Sequence, residues 1–233
     1  MKFVLSWMLA GAAILAANGE TAMVVRAVEA RYAHATTLQA EFYERYHAGN
    51  GGGQAESGTV YFSKPGRMRW EYESPEQKLF VVDGKNAWFY VPADRTASRA
   101  AVKESDDWRT PLALLTGRIH LDRLCGRIEL LDEASGTSAP ADLPYDPRNR
   151  ILRCVPHKTS DPNEQPAFRE ILFEVSPDAE IARVVIREPG DVETEFRFGN
   201  WKENIPLAES NFHFEPPIGV TIVNEEDLSK GVH

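Results

Sequence analysis

Between Thr21 and Thr37, in TAMVVRAVEARYAHATT, the apolar residues Val24, Val25, Val28 and Tyr32 recur at helical spacing, while Arg26, Glu29 and Arg31 lie elsewhere around the wheel. This predicts a helix with one apolar stripe. Directly afterwards the period shortens to two. In LQAEFYERY, Leu38, Ala40, Phe42 and Tyr46 share one side, and Gln39, Glu41, Tyr43 and Arg45 share the other, as in a half-buried strand.

The same alternation returns in TVYFS, MRWEY, KLFVV and NAWFYV, and beyond residue 149 in ILRCV, FREILFEV, IARVVIRE and VETEFRF. The glycine-rich run AGNGGGQAESG separates two such strands and reads as a hairpin loop. It lacks the Gly-Lys-Ser/Thr ending and following helix of a phosphate-binding loop. Asp83-Gly84 predicts a second tight hairpin, with both residues at positive φ. In TPLALLTG, Thr110 can cap, Pro111 suits the first helical position and Gly117 can terminate, which predicts a short helix. The stretch 132–149 is dense in Pro, Asp, Ser and Gly and reads as a long loop. Near ten strands and two or three short helices suggest one large antiparallel sheet curled on itself, a mainly β, α+β chain.

The first residues change where such a sheet would work. MKFVLSWMLAGAAILAANGE places one lysine before an apolar run and small residues, the pattern of a secretory signal peptide. We expect a leader over 1–19, cleaved near Ala17 or Gly19, and one domain over 20–233. The net charge of −9 becomes −10 once Lys2 is removed, an acidity that disfavours nucleic acid as a partner. Outside the cytoplasm, Cys125 and Cys154 are expected to form a disulfide rather than remain free thiols. A redox pair would want Cys-x-x-Cys spacing.

Candidate chemistry is sparse. The six histidines stand singly, without the paired spacing of a metal site, and there is no Gly-x-Ser-x-Gly elbow. Two carboxylates on aromatic strands could form a glycosidase pair, but nothing singles two out. The strands themselves are more informative. Met68, Trp70 and Tyr72 share a face, as do Trp88 and Tyr90, while Ala87, Phe89 and Val91 take the other side of the last strand. Together they suggest either an unusually large apolar concavity or an ordinary barrel core packed beneath helices, and periodicity does not distinguish a filled one from an open one. As part of a cavity wall, Trp70 should tolerate replacement by glutamate without loss of the fold.

Several blocks carry a resemblance. The helix followed by LQAEFYERY, then SGTVYFSKPGRMRWEY, SPEQKLFVVDGKNAWFYVP, TPLALLTG and FHFEPPIGVTIV, resemble in content and order the outer-membrane lipoprotein carrier protein family, the LolA type. The resemblance implies an incomplete antiparallel barrel closed by a short helical lid, with no catalytic residues, cofactor or metal. Its apolar inside would hold the acyl chains of a lipoprotein. It also implies a periplasmic monomer that takes cargo from an inner-membrane ABC transporter and passes it to a LolB-type acceptor at the outer membrane.

By position, Phe42, Phe62, Met68, Trp70, Tyr72, Phe80, Val82, Trp88 and Tyr90 would wall the cavity, although a shift of one residue would exchange the inward set. Val28 and Tyr32 on the first helix, with Leu112 and Leu115 on the second, would form the lid. The family commonly places Arg before the Pro at position 65, where it bonds lid backbone. Here Lys64 stands there, and Arg67 or Arg69 could share the latch. A second departure is the insertion 132–149, flanked by the cysteines. A lipid-sensing envelope-stress regulatory domain on the same half-barrel is the alternative function, with an envelope glycan or lipid hydrolase behind it.

Overall fold

A computed structural model describes residues 8–49, 53–102, 120–131, 145–158, 166 and 168–224, with side chains from residue 19 onward. Among them twelve strands form one sheet: β1 (Thr37–Ala48), β2 (Gln54–Ser63), β3 (Arg67–Ser74), β4 (Lys78–Val82), β5 (Asn86–Val91), β6 (Thr96–Ala101), β7 (Cys125–Leu131), β8 (Arg150–Pro156), β9 (Glu170–Val175), β10 (Ile181–Glu188), β11 (Val192–Glu203) and β12 (Thr221–Asn224). Their spatial order is β12-β6-β5-β4-β3-β2-β1-β11-β10-β9-β8-β7. Every neighbouring pair is antiparallel except β6 with β12. The sheet is open, ending at β7 and β12 rather than closing into a barrel.

Curvature follows from side-chain contacts that a flat sheet forbids. β3 and β11 are three strand spacings apart, roughly 14 Å in a flat sheet. Yet the rings of Trp70 on β3 and Phe196 on β11 lie 5.4 Å apart, centroid to centroid. The sheet therefore bends toward the face that carries both rings. Gly58 on β2 makes this bend possible locally, because a Cβ there would lie 1.8 Å from the Glu71 carbonyl oxygen. Phe42 and Tyr72, its partners on the two flanking strands, meet edge to face across it at 5.0 Å.

Helix α1 (Met8–His34) and the single turn α2 (Leu121–Leu124) are the α-helices among the described residues. The expected helix is present, but it begins within the segment read as a leader and stops at His34. Thr37, placed in the helix by its spacing, instead opens β1, where Thr37 Oγ1 donates to the Ile205 carbonyl at 2.6 Å. Among the described residues, no helix is long and apolar enough to cross a membrane. α1 lies over the concave face from the β7 edge to the start of β1. At one end Leu130 N donates to Thr21 Oγ1 at 3.3 Å, and at the other Ile181 N donates to the Tyr32 hydroxyl at 2.9 Å.

The hairpin expected at Asp83-Gly84 forms with different chemistry. Only Gly84 takes positive φ (97°), while the Asp83 carboxylate accepts from the Lys85 and Asn86 amides, both at 2.7 Å. An aspartate carboxylate can close a turn through its own backbone bonds, so Asp83 does not have to enter the left-handed region.

Cys125 and Cys154 are joined by a disulfide with a Cα–Cα distance of 5.3 Å, at the start of β7 and on β8. With 29 residues of separation, the bridge should restrict the unfolded chain by about 3–4 kcal/mol on the chain-entropy account. Replacing both cysteines with alanine should lower stability by that order. An unchanged urea midpoint under oxidising conditions would show that the bridge contributes nothing.

Candidate functional site

The concave face is built from the alternate residues of successive strands. Phe42 on β1, Val60 and Phe62 on β2, Met68, Trp70 and Tyr72 on β3, and Phe80 and Val82 on β4 are all buried in one apolar cluster. Trp70 is its centre. Its ring lies 4.7 Å from Phe42, 6.1 Å from Phe62 and 6.2 Å from Phe198, mostly edge to face, the arrangement aromatic quadrupoles favour. Phe173, Val184, Phe196 and Phe198 extend the cluster on the other half of the sheet. Their signal is present in the alternation of FREILFEV, IARVVIRE and VETEFRF, but no single residue distinguishes them from an ordinary core.

One atom on this floor is out of keeping. Trp70 is 1% exposed, and its Nε1 has no hydrogen-bond partner among the described residues. Burying an unsatisfied donor costs about 1–3 kcal/mol. The other polar groups nearby are satisfied: Trp201 Nε1 donates to the Ile181 carbonyl at 3.1 Å, and the Tyr72 hydroxyl donates to Glu44 at 2.9 Å.

Above the floor, α1 presents Val28 and Tyr32, both 1% exposed, with Val24 and Val25 packed beside them. Burial pushes the Tyr32 phenol above its ordinary pKa, so it stays protonated. The last turn is held by charge. Lys64 Nζ donates to the carbonyls of Tyr32 and Ala33, the latter at 2.9 Å, where a helix end offers unpaired acceptors and the negative end of its dipole. Burial lowers the Lys64 pKa from its ordinary value. Arg31 adds ion pairs to Glu180 at 3.1 Å and Glu203 at 2.6 Å.

Away from that helix end the concave face turns polar. Glu44, Tyr46, Gln54, Glu56, Lys78, Glu188 and Thr194 line a cleft of about 370 Å³. Lys78 pairs with Glu56, and burial raises the Glu188 carboxyl above its ordinary range. Tyr72 marks the boundary, its ring among the aromatics and its hydroxyl on Glu44.

Four expected residues belong elsewhere. Phe80 pairs with Phe89 and Val81 with Trp88, so Ala87 and Phe89 join the concave face, while Trp88 and Tyr90 point outward. The inward set is shifted by one residue, and every side chain of β5 changes face with it. On the outer face Phe214 covers Trp88 and Tyr90, at 5.6 and 5.3 Å, and Arg99 lies over the Trp88 ring. Arg67 and Arg69 alternate with Met68 and Trp70 and so also face outward. Arg67 pairs with Glu209 at 3.1 Å and Arg69 donates to the Asn211 carbonyl at 3.1 Å, both in the 3-10 turn Glu209–Phe212. Of the three basic residues, only Lys64 bonds α1. Leu112 and Leu115 lie outside the described residues, as does most of the insertion 132–149.

No group of three or more His, Cys, Asp or Glu among the described residues is arranged to hold a metal ion. The family described as "Outer membrane lipoprotein carrier protein LolA" matches residues 33–129. An outer-membrane lipoprotein carrier protein of Nitrosomonas europaea is 29% identical over 171 residues, 72% of this chain and 73% of the relative. That of Xanthomonas axonopodis pv. citri is 27% identical over 191 residues, covering 81% and 82%. In fold, an uncharacterized conserved protein from Thermus thermophilus superposes with a TM-score of 0.52 at 13% identity, covering 88% of this chain and 99% of that one. The resemblance read from the sequence blocks is thus matched by the family model and by the relatives.

Proposed function

From this similarity to the outer-membrane lipoprotein carrier proteins, we propose that the chain is a periplasmic chaperone that shields lipoprotein acyl chains. The observation that carries the reading is the concave aromatic floor with the apolar stripe of α1 lying over it. Three acyl chains hold on the order of forty CH₂ groups, and at ~0.8 kcal/mol each their exposure would cost roughly 30 kcal/mol. Val24, Val25, Val28 and Tyr32 give α1 at most about 6–12 kcal/mol of apolar docking, at roughly 1.5–3 kcal/mol per side chain. Acyl chains that take the helix's place therefore gain more than the helix loses. No bond has to be made or broken, so the proposal assigns no catalytic residue.

In this reading residues 1–19 direct export and 20–233 act as one carrier domain. Cargo arrives from an inner-membrane ABC transporter and leaves to an acceptor of the LolB type at the outer membrane. Val28 and Tyr32, with Leu112 and Leu115, serve as lid, and the concave set from Phe42 to Val82 meets the chains. Purified protein should release a triacylated lipoprotein from membranes into a soluble complex when the transporter is active. No release of any cognate lipoprotein would sink the proposal.

Lys64 serves as the latch. Lys64→Met removes two charge-assisted bonds and should loosen the last turns of α1 by roughly 1.5–3 kcal/mol. Hydrogen exchange of Ala30–His34 should then speed up at least tenfold while β9 and β10 stay protected, and Lys64→Arg should restore the slow rate. Equal exchange in the Met variant and the parent would remove the latch.

A further inference from the structure

We propose that the indole N–H of Trp70 is the docking point for an acyl carbonyl, so that the concave face recognises ester- or amide-linked chains and sets which way they lie. This rests on the carrier reading and adds to it a chemical preference that greasiness alone does not give.

The first support is the orphan itself. Trp70 is 1% exposed, and its Nε1 has no partner among the described residues, whereas Trp201 and Tyr72 in the same cluster have theirs. The neighbouring rings of Phe42, Phe62 and Phe196 carry no lone-pair acceptor, and an aromatic π system is only a second-order one. A phenylalanine would fill the floor without a stranded donor. A donor held dry in an apolar wall matches an acceptor that arrives within an apolar ligand.

The second support is position. Along β3 the inward residues run Met68, Trp70, Tyr72, about 6.8 Å apart. Tyr72 touches Glu44, where the polar cleft begins. An acyl-linked amphiphile carries its carbonyl at the matching place, between hydrocarbon and polar linker. With that carbonyl at Trp70, the tail passes Met68 and Phe62 toward the Lys64 end of α1. The linker then lies toward Glu44, Glu56 and Lys78.

A chain-matched pair of lipids tests this: a 1,2-diacylglycerol and the corresponding 1,2-dialkylglycerol, which keeps the tails and lacks the carbonyls. The intact protein should bind the diester about tenfold better than the diether, the size of one hydrogen bond. Trp70→Phe should bring the diester-to-diether ratio to about one, whatever it does to the affinity the two lipids share. In ¹⁵N-indole-labelled parent protein, which needs no variant, the Trp70 N–H resonance should move downfield with the diester and not with the diether. Equal affinity for both lipids with an unmoved resonance overturns the inference and leaves the carrier reading intact. Binding of neither lipid removes the carrier reading, and this inference with it.

Discussion

A Trp70→Glu variant is expected to lose its cooperative fold, not only its cargo. Trp70 is 1% exposed and packs within 6.5 Å of five other aromatic rings. Removing such a side chain costs about 3–5 kcal/mol. The incoming carboxylate has no cationic partner among these rings, which adds the cost of burying a charge or of protonating it. The sum approaches the whole stability of an ordinary domain. Circular dichroism and urea unfolding would decide. A variant with parental melting and only its ligand binding lost would mean that the floor is an open wall, as the sequence pattern alone suggests.

Arg183→Met should be the next most damaging change, although it lies on the outer face. Arg183 pairs with Glu174 at 2.6 Å and Glu195 at 3.2 Å, and all three side chains are less than one-tenth exposed. The Asp146 amide and the Asn149 side chain, 3.1 and 2.7 Å from Glu174, roof this cluster. Taking out the arginine breaks its buried ion pairs to Glu174 and Glu195, of which Glu195 keeps Arg45 at 2.9 Å and Arg197 at 2.8 Å, and should cost roughly 3 kcal/mol, the lower end for a broken buried pair. A loss below about 1 kcal/mol, read from the urea midpoint, would be the size of an exposed ion pair and would show that solvent reaches the cluster.

The same cluster sets an acid limit. Burial pushes the Glu195 carboxyl up, but hydrogen bonds from Arg197 and Arg183 and the charges of Arg197 and Arg45 outweigh it, leaving the pKa below its ordinary 4.5. A carboxylate lowered in the folded state stabilises above its unfolded pKa. That contribution is lost as pH falls below about 4.5, so stability should decline there and hold steady above it.

How far the sequence carried varied with the local physics. Strands β1 to β3 are legible because one face of each meets the core more fully than the other, so the period of two is written into LQAEFYERY and MRWEY. β6 (TASRAA) and β12 (TIVN) were missed, being short and poor in large apolar residues. β7 (CGRIELL) was hidden by Arg127 and Glu129, which pair with each other at 2.7 Å. The inward register of β5 was not legible, because NAWFYV is apolar on both sides. Only its pairing with β4 and the cover of Phe214 assign Trp88 and Tyr90 to the outer face.

The site was read more unevenly. The place of Lys64 before Pro65 singles it out in the sequence, and in the fold its Nζ bonds the carbonyls of Tyr32 and Ala33. Arg67 and Arg69 were grouped with it by sequence proximity, which alternation along β3 contradicts. The contribution of Phe196 and Phe198 depended on sheet curvature, which no local pattern encodes. The stranded Nε1 of Trp70 is a property of the packed whole and could not be read from any stretch of residues.

The most direct test of the central claim is native mass spectrometry of the protein purified from the cells that make it, without detergent. The account predicts a population carrying one acylated lipoprotein or lipid per chain, whose bound fraction falls when the concave floor is altered by Trp70→Phe and persists when the outer-face Trp88 is replaced. Protein recovered free of any acylated species, even when a cognate lipoprotein is overproduced beside it, would contradict the account.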